Sequence, residues 1–378
     1  MRHLERGPNR AAFQASEEKI GNSMGLGVRD DADFSGTKPV EERHRINEAN
    51  LAEWMSSHVE GFAGPLTVSQ FKGGQSNPTY RLDTPKTSYV MRRKPFGKLL
   101  PSAHAVDREY RVITALHKQG FPAAKTYGLC EDVDVIGAAF YIMQMVEGRV
   151  FWDQTLPSVD RAERRPIFEQ EILTLAKLHS YDPEKIGLGD YGRPGNYFQR
   201  QIKRWIAQYR GAETGRIEAM EDLIAWMPDN IPPDDSVSIA HGDYRLENTI
   251  FHPAEPRMIA VLDWELSTIG HPLADLGYNC MGYRLNNPRQ GGLVDVDYAA
   301  TGIPAEEAYV RAYCARTGRS FPIPDWDFYI AFAIFRLAAI SQGVYKRGLD
   351  GNASSANAAT FNLCGFLSEA AAKMVKIR

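Results

Sequence analysis

Cysteine is scarce in this sequence of 378 residues, which contains only four. They lie far apart, at Cys130, Cys280, Cys314 and Cys364, and no two of them form a C-x-x-C pair. This spacing argues against a disulfide framework and against a structural zinc site. It favours a reducing compartment, which we expect to be the cytoplasm.

The sequence also has no large excess of positive or negative charge and no long apolar run. The 44 lysines and arginines are balanced by 47 aspartates and glutamates, which leaves no electrostatic footprint for nucleic acid or an anionic membrane. No apolar run reaches the ~20 residues of a membrane span. The best candidate, 328–340, is interrupted by Arg336 and is predicted to be a buried helix. We therefore expect neither nucleic acid nor a membrane as a partner, and the sequence identifies no protein partner.

Apolar residues make up 43% of the chain, which is enough for a core, and the length suits two domains or one two-lobed unit. Residues 1–40 are rich in glycine, asparagine, aspartate and serine without periodicity, and they are predicted to be a flexible tail. Residues 41–145 show short strand patterns, whereas residues 146–378 show mainly helical ones. The prediction is an α+β chain with a β-rich first lobe and a mainly helical second lobe.

Hydrophobic periodicity and turn residues set the predicted elements. In the first lobe they predict helices over 47–59 and 103–118 and strands over 66–71, 79–82, 88–92, 124–129 and 139–145. In the second lobe they predict helices over 161–179, 195–210, 216–227, 272–284, 304–317, 326–347 and 353–377, with a β insert over 237–262. No βαβ series is visible, which argues against Rossmann and TIM architectures.

The most informative stretch is H-G-D-Y-R-L-E-N over 241–248, followed by Asp263. Asp243 could accept a proton, while Asn248 and Asp263 supply the hard oxygen ligands that Mg²⁺ prefers. Arg245 could place a positive charge near a phosphoryl oxygen. An isolated aspartate at a loop start is more often a turn or helix cap, but the D-x-R-x-x-N spacing equals that of the protein-kinase catalytic loop. The combined pattern favours a functional site.

These two segments resemble the signatures of the aminoglycoside phosphotransferase and choline kinase group, relatives of the protein kinases. Asp275 in H-P-L-A-D-L also matches that group. The phrases R-R-K-P over 92–95 and D-W-E-L-S-T over 263–268 are similar to the kinase-like domain attached to certain acyl-CoA dehydrogenases. The resemblance runs from about residue 45 to the last residue and implies a two-lobed protein-kinase-like fold, with residues 41–145 as the nucleotide-binding lobe and 146–378 as the catalytic and acceptor-binding lobe.

The resemblance also implies a role for each residue of the two segments. Asp243 would be the catalytic carboxylate that faces the acceptor hydroxyl, and Arg245 would neutralise charge on the transferred group. Asn248 and Asp263 would hold Mg²⁺ against the phosphates of ATP. Asp275 is expected to brace the metal loop through hydrogen bonds.

The first lobe is expected to hold the nucleotide. A K-G-G-Q-S-N turn lies between its first two strands, where kinases place a phosphate-covering turn, although Gly-Gly between strands is usually a simple hairpin turn. Backbone groups of Gln144 and Val146 would pair with the adenine edge. The residues predicted to cover the phosphates are Gly73, Gly74, Gln75, Ser76 and Asn77.

A basic strand end and a helix carboxylate complete the predicted nucleotide site. Arg92 takes the place of the lysine in the V-A-I-K pattern of protein kinases, and a guanidinium can still bridge phosphate oxygens. Lys94 should point to the same face of the strand as an alternative, whereas Arg93 should face away. Glu109 matches the helix glutamate that pairs with the strand cation.

The acceptor is the least specified part of the prediction. Cations at 284, 289, 346 and 347 argue against a polycationic drug and favour a neutral or anionic hydroxyl compound, such as a hydroxyacyl-CoA or a hydroxy acid. The predicted function is an ATP- and Mg²⁺-dependent phosphotransferase for a small hydroxylated metabolite. The alternatives are a non-catalytic nucleotide-binding pseudokinase and an aminoglycoside kinase. The candidate acceptor-binding residues are Glu265, Tyr283, Arg284, Tyr345 and Arg347.

Overall fold

The computed structural model describes residues 36–72, 77–96, 105–288, 291–351, 359–360 and 362–378. The predicted phosphate-loop residues Gly73, Gly74, Gln75 and Ser76 lie outside these ranges, and so does Arg289. Most of the predicted tail also lies outside them. Its last residues are described, and within them strand β1 (Thr37–Lys38) pairs with the main sheet.

An antiparallel sheet of six strands forms the first lobe, in the order β1-β2-β3-β4-β6-β5. Two helices flank it, α1 (Glu48–His58) and α2 (Val106–Lys118), and a short helix α3 (Val133–Ile136) follows β5. The further strands are β2 (Thr67–Phe71), β3 (Thr79–Asp83), β4 (Ser88–Arg93), β5 (Thr126–Cys130) and β6 (Phe140–Gln144).

Strand alternation divides the side chains of this sheet between two cores. Phe140 and Ile142 of β6 pack with Met91 of β4 in the cluster that includes α1. Tyr141, which points to the opposite face, joins the core that contains α2 and the second lobe. Because successive side chains of a strand point to opposite faces, the residue after Met91 also points towards α2. This alternation directs Arg92 to the interlobe cleft.

Helices build most of the second lobe, around the long and largely buried helix α10. The helix over 161–179 has the predicted bounds, and the helices predicted over 195–210, 216–227, 304–317 and 326–347 differ from the observed ones by one or two residues at their ends. A short helix over 298–301 was not predicted. The helices are α4 (Arg161–His179), α5 (Tyr197–Gly211), α6 (Glu218–Trp226), α7 (Pro272–Asn279), α8 (Tyr298–Thr301), α9 (Glu306–Thr317), α10 (Trp326–Leu349) and α11 (Cys364–Met374).

Helix α10 is the one helix of the described chain that is long and apolar enough to cross a membrane, but 67% of its most apolar window is buried inside the protein. It packs against α5, α7 and α11, which makes it the core helix of this lobe. The arginine that interrupts its apolar run, Arg336, is only 7% exposed.

Two small antiparallel pairs within the second lobe carry the loops of interest. Strand β7 (Ser238–Ala240) pairs with β10 (Thr268–Gly270), and β8 (Thr249–Phe251) pairs with β9 (Met258–Val261). After the roles predicted for them, we name the segment from β7 to β8 (241–248) the catalytic loop and the segment from β9 to β10 (262–267) the metal loop. The predicted β insert is thus two short strand pairs that bring both loops to one place.

Two helices differ from their predicted form. The helix predicted over 272–284 ends at Asn279 and continues as a 3₁₀ turn over Cys280–Tyr283. The helix predicted over 353–377 is described only from Cys364 to Met374, because residues 352–358 and 361 lie outside the described part. All four cysteines are buried and form no disulfide.

Candidate active site

Asp243 and Asn248 are in direct contact in the catalytic loop. The Asn248 Nδ2 group donates to Asp243 Oδ2 at 2.8 Å and to the Asp243 carbonyl at 2.9 Å. These bonds orient the amide so that its nitrogen serves the carboxylate while its oxygen is a candidate metal ligand. The side chain of Asp243 is 16% exposed, so a carboxylate that could accept a proton remains accessible.

Hydrogen bonds fix the metal loop against the catalytic loop. The Leu262 N–H donates to the Asn248 carbonyl at 2.8 Å, and His241 Nε2 donates to the Leu262 carbonyl at 2.8 Å. The next residue, Asp263, has a left-handed backbone (φ 61°) and a side chain that is 35% exposed. The turn therefore presents Asp263 beside the catalytic loop.

Arg245 is the cation that the two loops share. Its Nε lies 3.5 Å from Asp243 Oδ1, and its Nη1 lies 3.0 Å from Glu247 Oε2. Burial by itself lowers the pKa of this guanidinium, but the neighbouring Tyr278, Asp243, Glu247 and Asp263 raise it above its ordinary value. Arg245 thus remains charged beside the carboxylates of both loops.

Arg92 connects the first lobe to the metal loop. Its Nη2 lies 3.0 Å from Asp263 Oδ1 and 2.9 Å from Glu265 Oε2, while its Nε lies 3.1 Å from Glu109 Oε2. One guanidinium therefore faces three carboxyl groups, and its side chain is only 12% exposed.

Glu109 is held from several sides within the first lobe. Asn77 Nδ2 donates to its Oε1 at 2.9 Å, and the Tyr141 hydroxyl donates to its Oε2 at 3.1 Å. Burial raises the pKa of Glu109 to about 7, although Arg92 opposes this rise. The side chain of Asn77, a residue that the sequence assigned to the phosphate turn, is fully buried and positions Glu109. Tyr141 was not predicted, because only the folded sheet brings it to Glu109.

Asp275 braces the catalytic loop and not, as expected from the sequence, the metal loop. Its carboxylate accepts hydrogen bonds from the His241 N–H at 2.5 Å, from the Gly242 N–H at 2.9 Å and from His179 Nε2 at 3.4 Å. Burial opposes its ionisation, yet the bond from His179 and the loop N–H groups hold the pKa of Asp275 below its usual value. The prediction was wrong about the loop because Asp275, near the start of α7, faces β7 and its following turn.

Gly242 accepts a hydrogen bond from a buried arginine, and its surroundings leave no room for a side chain. Arg336, from the core helix α10, donates through Nη2 to the Gly242 carbonyl. The backbone of Gly242 is left-handed (φ 85°), and a Cβ there would lie 2.7 Å from the carbonyl oxygen of Leu266. The signal for Arg336 was present in the sequence as a charge inside an apolar run, because a buried charge needs a partner.

The remaining residues considered for the nucleotide site lie in different surroundings. Lys94 lies 3.5 Å from Asp107, outside the Arg92 cluster. Arg93 faces away as predicted, with its guanidinium 3.7 Å from the centre of the Phe96 ring. The Gln144 N–H already donates to the Lys125 carbonyl at 2.8 Å, so this group is not available to an adenine edge. Val146 lies in the connector that follows β6.

The predicted acceptor residues have separate partners within the protein. Glu265 pairs with Arg92, and the buried Tyr283 donates its hydroxyl to the Pro304 carbonyl at 3.1 Å. Arg284 pairs with Glu306, so its charge is already compensated. The other two candidates, at 345 and 347, belong to the last turns of α10.

A small cavity of about 30 Å³ lies next to Arg245, which is close to Asp243. The hydroxyl of Tyr278 forms a hydrogen bond with Asp243, and burial followed by the Asp243 charge raises the pKa of this tyrosine. Neither Tyr278 nor the cavity was predicted, because they depend on how the turn after α7 packs. The residues around the cavity include Gln154, Arg245, Glu247, Tyr278, Met281 and Leu285.

The donor set fits a magnesium ion better than a metal that needs a protein cage. Among the described residues no cluster of three or more histidine, cysteine, aspartate or glutamate side chains could hold a metal. Mg²⁺ binds few protein ligands and keeps water and phosphate oxygens, so the Asn248 amide oxygen and the Asp263 carboxylate are a suitable pair. The carboxylates around Arg92 also outnumber its single charge, which suits a divalent cation.

The family follows from a match over most of the chain. The sequence profile described as "Phosphotransferase enzyme family" matches residues 67–332, which include β2 to β10 and much of the second lobe. This chain belongs to that family. The match contains both loops, Arg92 and Glu109.

Curated relatives are similar over nearly the whole chain but are longer. Acyl-CoA dehydrogenase family member 11 of Gallus gallus is 45% identical over 350 residues, which is 90% of this chain and 44% of that protein. Acyl-CoA dehydrogenase family member 10 of Mus musculus is 42% identical over 350 residues, 92% of this chain and 32% of that protein. The chain thus spans less than half the length of these relatives.

Solved structures confirm the two-lobed kinase-like fold. A crystal structure from Ralstonia eutropha, assigned to the aminoglycoside phosphotransferases, is 51% identical with a TM-score of 0.81, over 88% of this chain and 99% of that one. An aminoglycoside phosphotransferase in ternary complex with AMP-PNP and hygromycin B is 14% identical, with a TM-score of 0.54 over 86% of this chain and 98% of that one. The second likeness concerns the fold alone.

Proposed function

We propose that this phosphotransferase moves the γ-phosphoryl group of ATP, in a Mg²⁺-dependent reaction, to the hydroxyl of a small metabolite. The observation that carries the proposal is the contact between Asp243 and Asn248 beside an Asp263 that the first-lobe cation Arg92 reaches across the cleft. Phosphoryl transfer depends mainly on alignment and charge neutralisation. A proton acceptor, two oxygen ligands and two arginines provide both.

In this proposal each side chain has one task. Asp243 takes the proton of the acceptor hydroxyl as its oxygen bonds to the γ-phosphorus and the bond from that phosphorus to the β,γ-bridging oxygen breaks, which releases ADP. Asn248 and Asp263 would hold Mg²⁺, which neutralises phosphate charge. Arg245, charged and close to Asp243, faces the developing charge on the transferred group. Arg92, held by Glu109, supplies the cation for the remaining phosphates.

The acceptor that we propose is a hydroxyacyl thioester or a related hydroxy acid. The family resemblance to proteins that also carry an acyl-CoA dehydrogenase name supports this class. The small cavity near Asp243, of about 30 Å³, has room for about one water molecule and not for a whole acceptor, so it bears only on the charge around the site. Its one carboxylate, Glu247, is paired with Arg245, whereas a polycationic aminoglycoside calls for several uncompensated carboxylates.

A phosphate-transfer screen tests the proposal. The intact chain is incubated with radiolabelled ATP and Mg²⁺ and with hydroxyacyl-CoAs, hydroxy acids, amino alcohols, sugars or aminoglycosides, and Asp243→Asn is the matched inactive control. We expect transfer to the hydroxyacyl or hydroxy acid group only. Transfer to aminoglycosides alone would overturn the acceptor class. Nucleotide binding without transfer to any of these compounds would instead favour the non-catalytic alternative.

A further inference from the structure

A second cavity, of about 590 Å³, lies where the two lobes meet next to the connector. The first lobe contributes the turn after α2, from Gly120 to Ala123, and Gln144 at the end of β6. The second lobe contributes one face of α4, the start of β9 and the end of α9. The cavity is a groove between lobes, and its size falls in the range of small-ligand sites. Gln144 is the one predicted nucleotide contact among its lining residues, which include no residue of the catalytic or metal loop and neither Arg92 nor Glu109.

The charges along this groove are of one sign. Lys177, Arg257 and Arg316 line it together with His117, and none of its lining residues is an aspartate or a glutamate. Lys177 is held in place because its Nζ donates to the Gly120 carbonyl at 2.6 Å. Arg257 has one carboxylate partner outside the lining, Glu255 at 3.1 Å.

Arg316 adds a charge that the protein does not compensate. Within the described part of the chain it has no carboxylate within ion-pair distance. Of the three cations Lys177, Arg257 and Arg316, only Arg257 is therefore paired with a carboxylate. The groove has an excess of positive charge, which attracts an anion. Because exposed ion pairs are individually weak, a ligand that contacts two or more of these cations is favoured over a lone small anion.

Apolar surface lies beside the cations. Leu173 on α4 is 39% exposed, although it is a large apolar side chain, and Met258 and Phe121 form buried parts of the same lining. A ligand that covers Leu173 would remove apolar surface from water, which is favourable. The groove thus combines a hydrophobic wall with a basic rim, a pairing that is typical of ligand sites with a few polar anchors.

We infer that this groove binds an organic anion in which a phosphate or a carboxylate is attached to a short apolar body. The anionic group lies between Arg257 and Arg316, and the apolar body covers Leu173. Both lobes would contact such a ligand. The site is separate from the proposed transfer reaction, and binding alone tests it.

Calorimetric titration of the intact chain with four probes tests this inference. The probes are n-hexyl phosphate, n-hexanoate, inorganic phosphate and n-hexanol. We expect one or both hexyl anions to bind more tightly than phosphate or hexanol, because only the hexyl anions can contact both the cations and the apolar surface of the groove. The first two probes distinguish a phosphate ligand from a carboxylate ligand. If hexanol binds as tightly as the hexyl anions, the cations do not contribute to binding, and the inference is wrong. If phosphate binds as tightly as hexyl phosphate, the apolar surface does not contribute, and the inference is also wrong.

A variant pair assigns the binding to this groove. Arg257→Gln combined with Arg316→Gln should weaken hexyl-anion binding at least about twofold, since each of the two exposed pairs contributes roughly 0.2–1 kcal/mol. The control is Arg165→Gln. It removes the charge of an exposed arginine on α4 that does not line the groove, and it should leave binding unchanged. A smaller loss in the double variant, or an equal loss in the control, overturns the inference. All three side chains are exposed, and unchanged melting temperatures will verify that the variants fold.

Discussion

Replacing Asp275 by alanine should destabilise the protein and disturb the catalytic loop. The substitution leaves the buried N–H groups of His241 and Gly242 without their carboxylate acceptor, and each such group costs about 1–3 kcal/mol. The contact with His179 is also lost. We therefore expect a loss of roughly 3–5 kcal/mol, as for other buried charged groups that lose a partner.

The size of this loss is measured by urea unfolding at neutral pH, with Asp275→Asn as the matched variant. Asparagine keeps one acceptor oxygen but turns an N–H₂ group towards one of the two loop N–H groups, so it should lose an intermediate amount. The transfer rate should fall in both variants in the same order. A loss below about 1 kcal/mol for the alanine variant, or equal losses for the two, would refute the assignment of the carboxylate as the loop's acceptor.

The same residue predicts a pH dependence with a definite sign. The pKa of Asp275 lies below its ordinary value of 3.8 in the folded protein. Its contribution to the free energy of unfolding is therefore fully present above that ordinary value, and it is lost as the pH falls through the lower folded value. The stability difference between the wild type and Asp275→Ala should accordingly be constant from pH 5 to 8 and shrink in strong acid. A difference that grows on acidification would contradict this account.

Three further predictions concern individual carboxylates. Asp243→Asn should lower the transfer rate at least ~100-fold, as expected when a general base is removed, while nucleotide binding measured by calorimetry persists; turnover within tenfold of wild type would exclude Asp243 as the base. Asp263→Ala should weaken the Mg²⁺ dependence of nucleotide binding, whereas the exposed control Asp229→Ala should not; an unchanged dependence would remove Asp263 as a ligand. Burial raises the pKa of Glu171 to about 7 from 4.5, so its contribution to stability is lost as the pH rises from about 4.5 through 7. Glu171→Gln, which keeps an acceptor for Asn279, should remove this slope in urea midpoints at pH 5 and 7.5, and an identical slope in both proteins would contradict the assignment.

Local patterns predicted most of the fold because their signals lie within one element. Helix α4 has the bounds that its apolar periodicity indicated, and the strand from Ser88 placed Arg92 on the correct face through simple alternation. The α+β, two-lobed prediction is confirmed. The order of the two loops and the residue types in them could be read directly, since these are properties of the sequence itself.

Contacts between distant segments could not be predicted in the same way. The bonds from Arg92 to Asp263 and from Arg336 to Gly242 join residues that are 171 and 94 positions apart, and they depend on how whole elements pack. For the same reason Asp275 was assigned to the wrong loop. The acceptor candidates had no local signal that distinguished a pocket residue from a surface residue, and the pairing of Arg284 with Glu306 could not be predicted because the two residues are 22 positions apart.

The close approach of Gly242 to the carbonyl oxygen of Leu266 fixes the position of the catalytic loop relative to the metal loop. Because not even a methyl group fits between them, a substitution that shifts the backbone near Leu266 would also shift the neighbouring Asp243. Relatives that differ in their acceptors would then be expected to diverge in the turn after α7 rather than in either loop. Engineering of a new acceptor preference should begin at Met281 and Leu285, which line the small cavity next to Arg245 and lie outside both loops.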